Sequence, residues 1–359
     1  MKENTRLVKL RPFWAQLFAV CGPVLTFENF ESTGPSLKPT PTRLFHDAQL
    51  AKAMQAALAA ARPWEGATAP NPPVGCALLD RVGNVIAAAG HHGAGQLHAE
   101  ALAIQQAREA GQFELIHTVV VTLEPCNHHG RTPPCSEAIV STPAEHVVIG
   151  IADPNPKVAG GGADHLRRAG LLVDFMSGDT AQVERLIAPF KKRMLQGLPF
   201  VTVKQALNRN GNMLPPPGQN TFTSQGSLLV AHALRRRADA ILTGSGTVLA
   251  DDPHFTVRLL PDHANKRREL ILFDRRKRIP ETYIAAATER GFDVTFATDL
   301  ETALRETNAP EVLVEAGPQL TAHVLQSPFW DEHVTITQTD AEDKITITTN
   351  GGTDVLRHH

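Results

Sequence analysis

Two successive series of alternating helical and extended segments constrain this chain more than any other feature. From Phe45, FHDAQLAKAMQAALAAAR is alanine-rich with helical spacing, and PVGCALLD and GNVIAAAG are short strands joined by a turn at Asp80 to Gly83. HAEALAIQQAREAG reads as a helix that starts near His98 and is stopped by Gly111, and HTVVVTLEPC reads as a buried strand. SEAIV (helix), HVVIGIADP (strand), GGADHLRRAG (helix) and LLVDF (strand) continue the alternation, which predicts helices packed on a central sheet, an α/β domain. After the amphipathic AQVERLIAPFKKRMLQG a second series begins at PFVTVKQA. In it SLLVAHALRRRA and LETALRE are helical, DAILTGSG, ELILFD, FDVTFAT and EVLVEAG are strands, and VTITQ with KITITT suits a hairpin. At 359 residues the chain exceeds the ~100–200 residues of one domain. The predicted division is an extension and linker over 1–44, a first domain over 45–197 and a second over 198–359.

A formal net charge of -2 and a charged fraction of 20% leave no basic field to attract nucleic acid or an anionic membrane. Near the start, MKENTRLVKLRPFWAQLFAVCGPVLTF sets basic residues before an apolar run. Pro12, Gln16 and the Gly22-Pro23 pair interrupt that run, which is short of the ~20 residues a spanning helix needs. Neither export nor membrane insertion is expected. Four cysteines are too few for a secreted disulfide scaffold, and two of them crowd into EPCNHHGRTPPC, Glu124 to Cys135, so a reducing, cytoplasmic setting with metal-binding thiolates is expected. Cys76, within an apolar strand, reads as a packed core thiol, and Cys21 is given no role.

Which histidine joins the two cysteines is open on local grounds, because His128 and His129 compete with His91, His92 and His98 of HHGAGQLHAE. His98-Ala99-Glu100 opens a helix and Pro125-Cys126 leaves a strand, so both junctions can face one another across one edge of the sheet, where α/β proteins bind ligands. One histidine and two cysteines leave a fourth zinc position to water, the open arrangement of a catalytic site. Glu100, two residues past His98, is close enough to exchange protons with that water without ligating the metal.

HAE followed by PC matches a zinc deaminase signature, but the second cysteine comes only after NHHGRTPP. That longer loop, with APNPPVGC and DPNPKVAGGG, resembles the deaminase half of the bifunctional riboflavin-biosynthesis deaminase/reductases; DAILTGSGTVLADDPHFTVR and LVEAGPQL resemble the reductase half. The resemblance spans roughly Phe45 to Val334. It implies an N-terminal cytidine-deaminase-like three-layer α/β/α domain and a C-terminal dihydrofolate-reductase-like α/β domain. It implies zinc on His98, Cys126 and Cys135, Glu100 as catalytic proton shuttle, and Asn71, His128, Arg131 and Thr132 against a pyrimidine phosphate substrate. His91, His92 and His129 are read as solvated. In the second domain it implies NADPH against Ala206, Thr247, Asp251 and Gly317, with substrate on Arg235, Arg258 and Glu315. A homo-oligomer formed through the reductase domain is also expected. Where the family tends to read SLDGR this chain has NRNGN, with Asn210 in place of an acid, and MLPPPGQNTF also departs from the family's pattern. The competing readings are an active deaminase with a degenerate reductase domain, and a nucleoside or tRNA deaminase, which would more often carry the short C-x-x-C.

Overall fold

The structure, a computed structural model, describes residues 44–128, 133–155, 159–213, 222–340 and 342–350. The expected extension and linker up to 43, Cys21, His129, Arg131, Thr132 and most of MLPPPGQNTF lie outside the described residues.

Period-two alternation builds the first sheet. Its elements are α1 (Asp47–Ala61), β1 (Gly75–Leu79), β2 (Val85–Gly90), α2 (Ala99–Glu109), β3 (Thr118–Leu123), α3 (Cys135–Val140), β4 (His146–Ile151), α4 (Gly161–Arg168), β5 (Leu172–Phe175) and α5 (Ala181–Gln196). The strand order is β2-β1-β3-β4-β5, with β1 antiparallel to β2 and β3, and β3, β4 and β5 mutually parallel. Because successive side chains of a strand point to opposite faces, Cys76, Leu78, Val119, Val121, Val147 and Ile149 meet α2, α3 and α4 on one side. Leu79, Val120 and Val148 meet α1 and α5 on the other. The result is the expected three-layer arrangement, and Cys76 is a fully buried core thiol whose titration burial pushes far up.

The second sheet has seven strands in the order β12-β11-β6-β10-β7-β8-β9. Its elements are β6 (Phe200–Leu207), α6 (Gln225–Arg237), β7 (Ala240–Gly244), α7 (Ser245–Asp251), β8 (Arg268–Phe273), α8 (Glu281–Glu289), β9 (Phe292–Ala297), α9 (Leu300–Glu306), β10 (Glu311–Val314), α10 (Pro318–Gln326), β11 (Glu332–Thr337) and β12 (Lys344–Thr349). Each of its neighbouring pairs is parallel except β11 with β12, which form the expected hairpin. Parallel strands from β6 to β9 therefore all end at one edge, where β7 runs into α7 and β10 into α10.

Helix α5 serves both sheets. Val183, Leu186 and Ile187 are buried in the first sheet's core, while Arg185 pairs with Glu332 and Lys192 Nζ lies 2.6 Å from Asp331 Oδ2, at and beside the start of β11. Among the described residues no helix is long and apolar enough to cross a membrane.

Candidate metal centre and cofactor edge

His98 is the residue immediately before α2, in extended backbone (φ -68°, ψ 159°), so its ring leaves the helix end instead of lying along it. Cys126 follows β3, and Cys135 is the first residue of α3. These elements bring His98 Nδ1 to 3.6 Å from Cys126 Sγ and 3.2 Å from Cys135 Sγ, and ligand atoms of the three residues lie within 4.8 Å of one another. A tetrahedral zinc with Zn–N of about 2.1 Å and Zn–S of about 2.3 Å holds nitrogen and sulfur about 3.6 Å apart, so the donor set fits that ion in both chemistry and spacing.

Electrostatics around the cluster suit the same ion. The hydrogen bond with the Cys135 thiol, more than any other contact, lowers the Cys126 thiol to about 4, while that bond and burial push Cys135 up. Cys126 Sγ also accepts the Cys135 backbone N–H at 3.4 Å, at the start of α3 where exposed amides favour a thiolate. One thiolate is ready, and a metal displaces the second proton. Glu100, in the first turn of α2, is 3% exposed, and burial raises its carboxyl above the usual range. It sits beside the cluster in hydrogen-bond contact with Cys135, outside the group whose donor atoms converge.

Glu124, which sequence reasoning passed over, organises the approach to Cys126. Its buried carboxylate accepts N–H groups from Asp153 (3.3 Å), Gly160 (3.0 Å) and Ala163 (3.0 Å), tying the exit of β3 to the start of α4. The contact is so close that a Cβ on Gly162 would fall 1.9 Å from Pro125 O. The sequence signal was a charged residue between an apolar strand and Pro-Cys.

Asn71 lies beside the metal cluster through an intermediary: its Nδ2 is 3.3 Å from His91 Nε2, and the His91 ring meets the His98 ring edge to face at 5.1 Å. The expectation that His91 is solvated is therefore corrected. It is 3% exposed because both ring nitrogens are satisfied inside the fold, by Asn71 and by Leu97 O at 3.0 Å, so little is lost on burying it. His92 is exposed, and it stacks on Trp64 at 3.8 Å. His128 is exposed at the edge of the two-cysteine loop.

At the second sheet's carboxyl edge, Thr247 Oγ1 accepts the Gly317 N–H at 2.8 Å, joining the turn after β10 to α7. Ala206 lies one residue before the end of β6, opposite Ile336 of β11. Asp251 ends α7 and is exposed. Glu315 is 5% exposed and grips Arg235 through two bonds, Nε–Oε1 at 2.5 Å and Nη2–Oε2 at 2.9 Å, with Lys204 Nζ 3.0 Å from Oε2. Burial works against its charge, but Lys204 and Arg235 hold the carboxyl at about 2. Arg235 is thus already committed, whereas Arg258 is exposed and its backbone N–H donates to His232 Nδ1 at 2.9 Å. Lys204 and His232 were missed from sequence; the signal for Lys204 was a cation directly after the mostly apolar PFVTV, within the same strand.

The turn after β8 adds Arg275, Arg276, Lys277 and Arg278, all exposed, with Arg278 Nη2 2.9 Å from Ser245 Oγ at the start of α7. Four cations beside a strand-to-helix turn make a positive patch that favours anionic groups.

The family described as the cytidine and deoxycytidylate deaminase zinc-binding region matches residues 47–151, and that described as the RibD C-terminal domain matches residues 199–337. The chain is 37% identical over 268 residues to riboflavin biosynthesis protein RibD of Aquifex aeolicus, covering 74% of this chain and 72% of that one. It is 34% identical over 316 residues to that of Escherichia coli, covering 78% and 84%. Among solved structures it resembles the diaminohydroxyphosphoribosylaminopyrimidine deaminase/5-amino-6-(5-phosphoribosylamino)uracil reductase of Thermotoga maritima, with a TM-score of 0.71, 29% identity and coverage of 82% and 88%. It also resembles Acinetobacter baumannii RibD, with a TM-score of 0.69, 31% identity and coverage of 86% and 89%.

Proposed function

The chain belongs to the RibD family, the bifunctional deaminase/reductases of riboflavin biosynthesis, and from that premise we propose how its residues divide the work. Residues 45–197 form the deaminase domain and 198–359 the reductase domain. The first site hydrolyses the amine of 2,5-diamino-6-(5-phosphoribosylamino)pyrimidin-4(3H)-one, releasing ammonia and leaving a carbonyl. His98, Cys126 and Cys135 hold zinc, and Asn71, His128, Arg131 and Thr132 hold substrate. Zinc, when bound, polarises water so that it is nucleophilic near neutral pH. Glu100 carries one proton from the attacking water to the ring nitrogen, then a second from the newly added hydroxyl to the amine, which leaves as ammonia as the carbonyl forms. Burial suits it to both steps, because it raises the carboxyl above its ordinary value and so favours holding a proton between transfers.

The second site reduces the ring-opened ribosyl group to ribityl. NADPH supplies the hydride, and Ala206, Thr247, Asp251 and Gly317 contact it. Arg258 offers its guanidinium to the substrate phosphate. Glu315, kept ionised by Lys204 and Arg235, accepts hydrogen bonds from sugar hydroxyls, while Arg235 holds that carboxylate in place. A homo-oligomer assembled through the reductase domain and a cytoplasmic location complete the proposal.

What carries this reading is the convergence of one imidazole and two thiols beside a buried glutamate that does not join them. Incubation with the diaminopyrimidinone phosphate, with and without NADPH, tests it. Ammonia should appear in both arms, and the nicotinamide absorbance should fall only after ammonia release has begun. Ammonia without any loss of nicotinamide absorbance would leave the deaminase alone.

A further inference from the structure

The loop from Arg62 to Pro73, which carries Asn71, is held by residues of the second sheet's half of the chain. Its carbonyls at Pro63 and Glu65 accept bonds from Arg236 Nη2 (2.6 Å) and His263 Nε2 (2.8 Å). Arg236 Nη2 also approaches His263 Nδ1 at 3.4 Å, which leaves Nε2 as the protonated, donating nitrogen. Between them Gly66, at φ +79°, passes so close to the end of α6 that a Cβ would lie 2.2 Å from Arg237 O. Lys266 Nζ caps that same carbonyl at 3.0 Å and pairs with Asp239 at 3.1 Å.

Downstream, the loop is linked to the metal cluster by a short series of contacts. Trp64 stacks on His92, Asn71 N–H donates to Thr68 O at 2.9 Å, Asn71 Nδ2 meets His91, and the His91 ring abuts the zinc-ligand candidate His98. A carbonyl pair gripped at one end and an amide joined through His91 to the zinc-ligand candidate His98 at the other make one brace. We infer that His263 and Arg236 are positioning residues for the deamination site, acting from the reductase half through the Pro63–Asn71 loop. The inference rests on the reading that Asn71 contacts the pyrimidine.

Neither residue touches substrate, so the signature is a change in substrate fit without loss of metal. In the full chain, His263→Ala and Gly66→Ala are expected to raise KM for deamination about 10-fold, with zinc per chain unchanged and kcat/KM unchanged for reduction of pre-deaminated substrate. His263→Gln keeps a side-chain N–H able to reach Glu65 O and is expected to stay within about two-fold of the parent. Should His263→Ala not fold, Arg236→Gln, which gives up the guanidinium bond to Pro63 O, carries the same expectation. Unchanged deamination in these variants, or equal losses of both activities, overturns the brace. If the parent itself releases no ammonia, the deaminase reading fails first; parent turnover with an unaltered His263→Ala overturns the brace alone.

Discussion

The metal cluster and the Glu315 cluster are both partly buried and both built around a loop-to-element junction of an α/β sheet, yet they handle charge in opposite ways. At the first, two thiols and an imidazole converge, and the nearby carboxyl is raised by burial. At the second, one carboxylate is shared by Lys204 and Arg235 and is pinned low. The difference teaches what each site lacks. A set of two thiols and an imidazole takes its cation from outside, whereas a carboxylate already held between two protein cations needs none and can use its ordered oxygens for hydrogen bonds to a polar substrate.

Metal removal should break the comparison most completely. A strong chelator is expected to abolish ammonia release while NADPH oxidation continues on substrate that has already been deaminated; loss of both, with circular dichroism unchanged, would refute the independence of the sites. Glu100→Gln should bind zinc normally and lose about 100-fold or more of deamination, measured as ammonia release beside metal analysis. Zinc loss in that variant would make Glu100 a ligand. Glu315→Gln sharpens the contrast from the other side, because it leaves two largely shielded cations without their charged partner. It should lower reductase kcat/KM by about 10–100-fold and stability by about 3–5 kcal/mol, with deamination unchanged.

Smaller effects are expected away from the reacting groups. Glu124→Gln keeps the volume but replaces one accepting oxygen by a donor facing backbone N–H groups, a cost of about 1–3 kcal/mol that should lower the thermal midpoint by roughly 2–12 °C. Its deamination should fall about 10-fold. Arg276→Ala should raise KM for NADPH about three-fold, and less so at high salt, where exposed charges are screened.

Alternation of helix and strand made most elements legible, since period-two and period-3.6 patterns are local properties. Helix α7 was not, because it starts directly off β7 at Ser245 without a polar linker and the glycines there read as a strand end. Helix α8 escaped for a similar reason: ETYIAAATE carries little amphipathic pattern and is fixed by Tyr283 and Ala287 packing beneath β8 and β9. The HAE and PC signals pointed to the residues that converge, because ligand identity is written in side-chain chemistry. The surroundings were not legible. His91 is buried by partners at Asn71 and Leu97, Glu124 is satisfied by amides of Asp153, Gly160 and Ala163, and Lys204 is matched by Glu315, all of them tertiary pairings that spacing along the chain does not encode.

Helix α5 bears on how such a chain can be recombined. Its apolar side belongs to one sheet and its Arg185 and Lys192 to the other, so a chimaera spliced after residue 197 inherits those cations from one parent and their acceptors, Asp331 and Glu332, from the second. Unless the parents agree at these positions, the crossover takes Arg185 from Glu332, which keeps only Arg237, and Lys192 from Asp331, a loss that a soluble hybrid must recover elsewhere. Shuffling should therefore tolerate junctions that transfer α5 together with β11, and select against those that separate them.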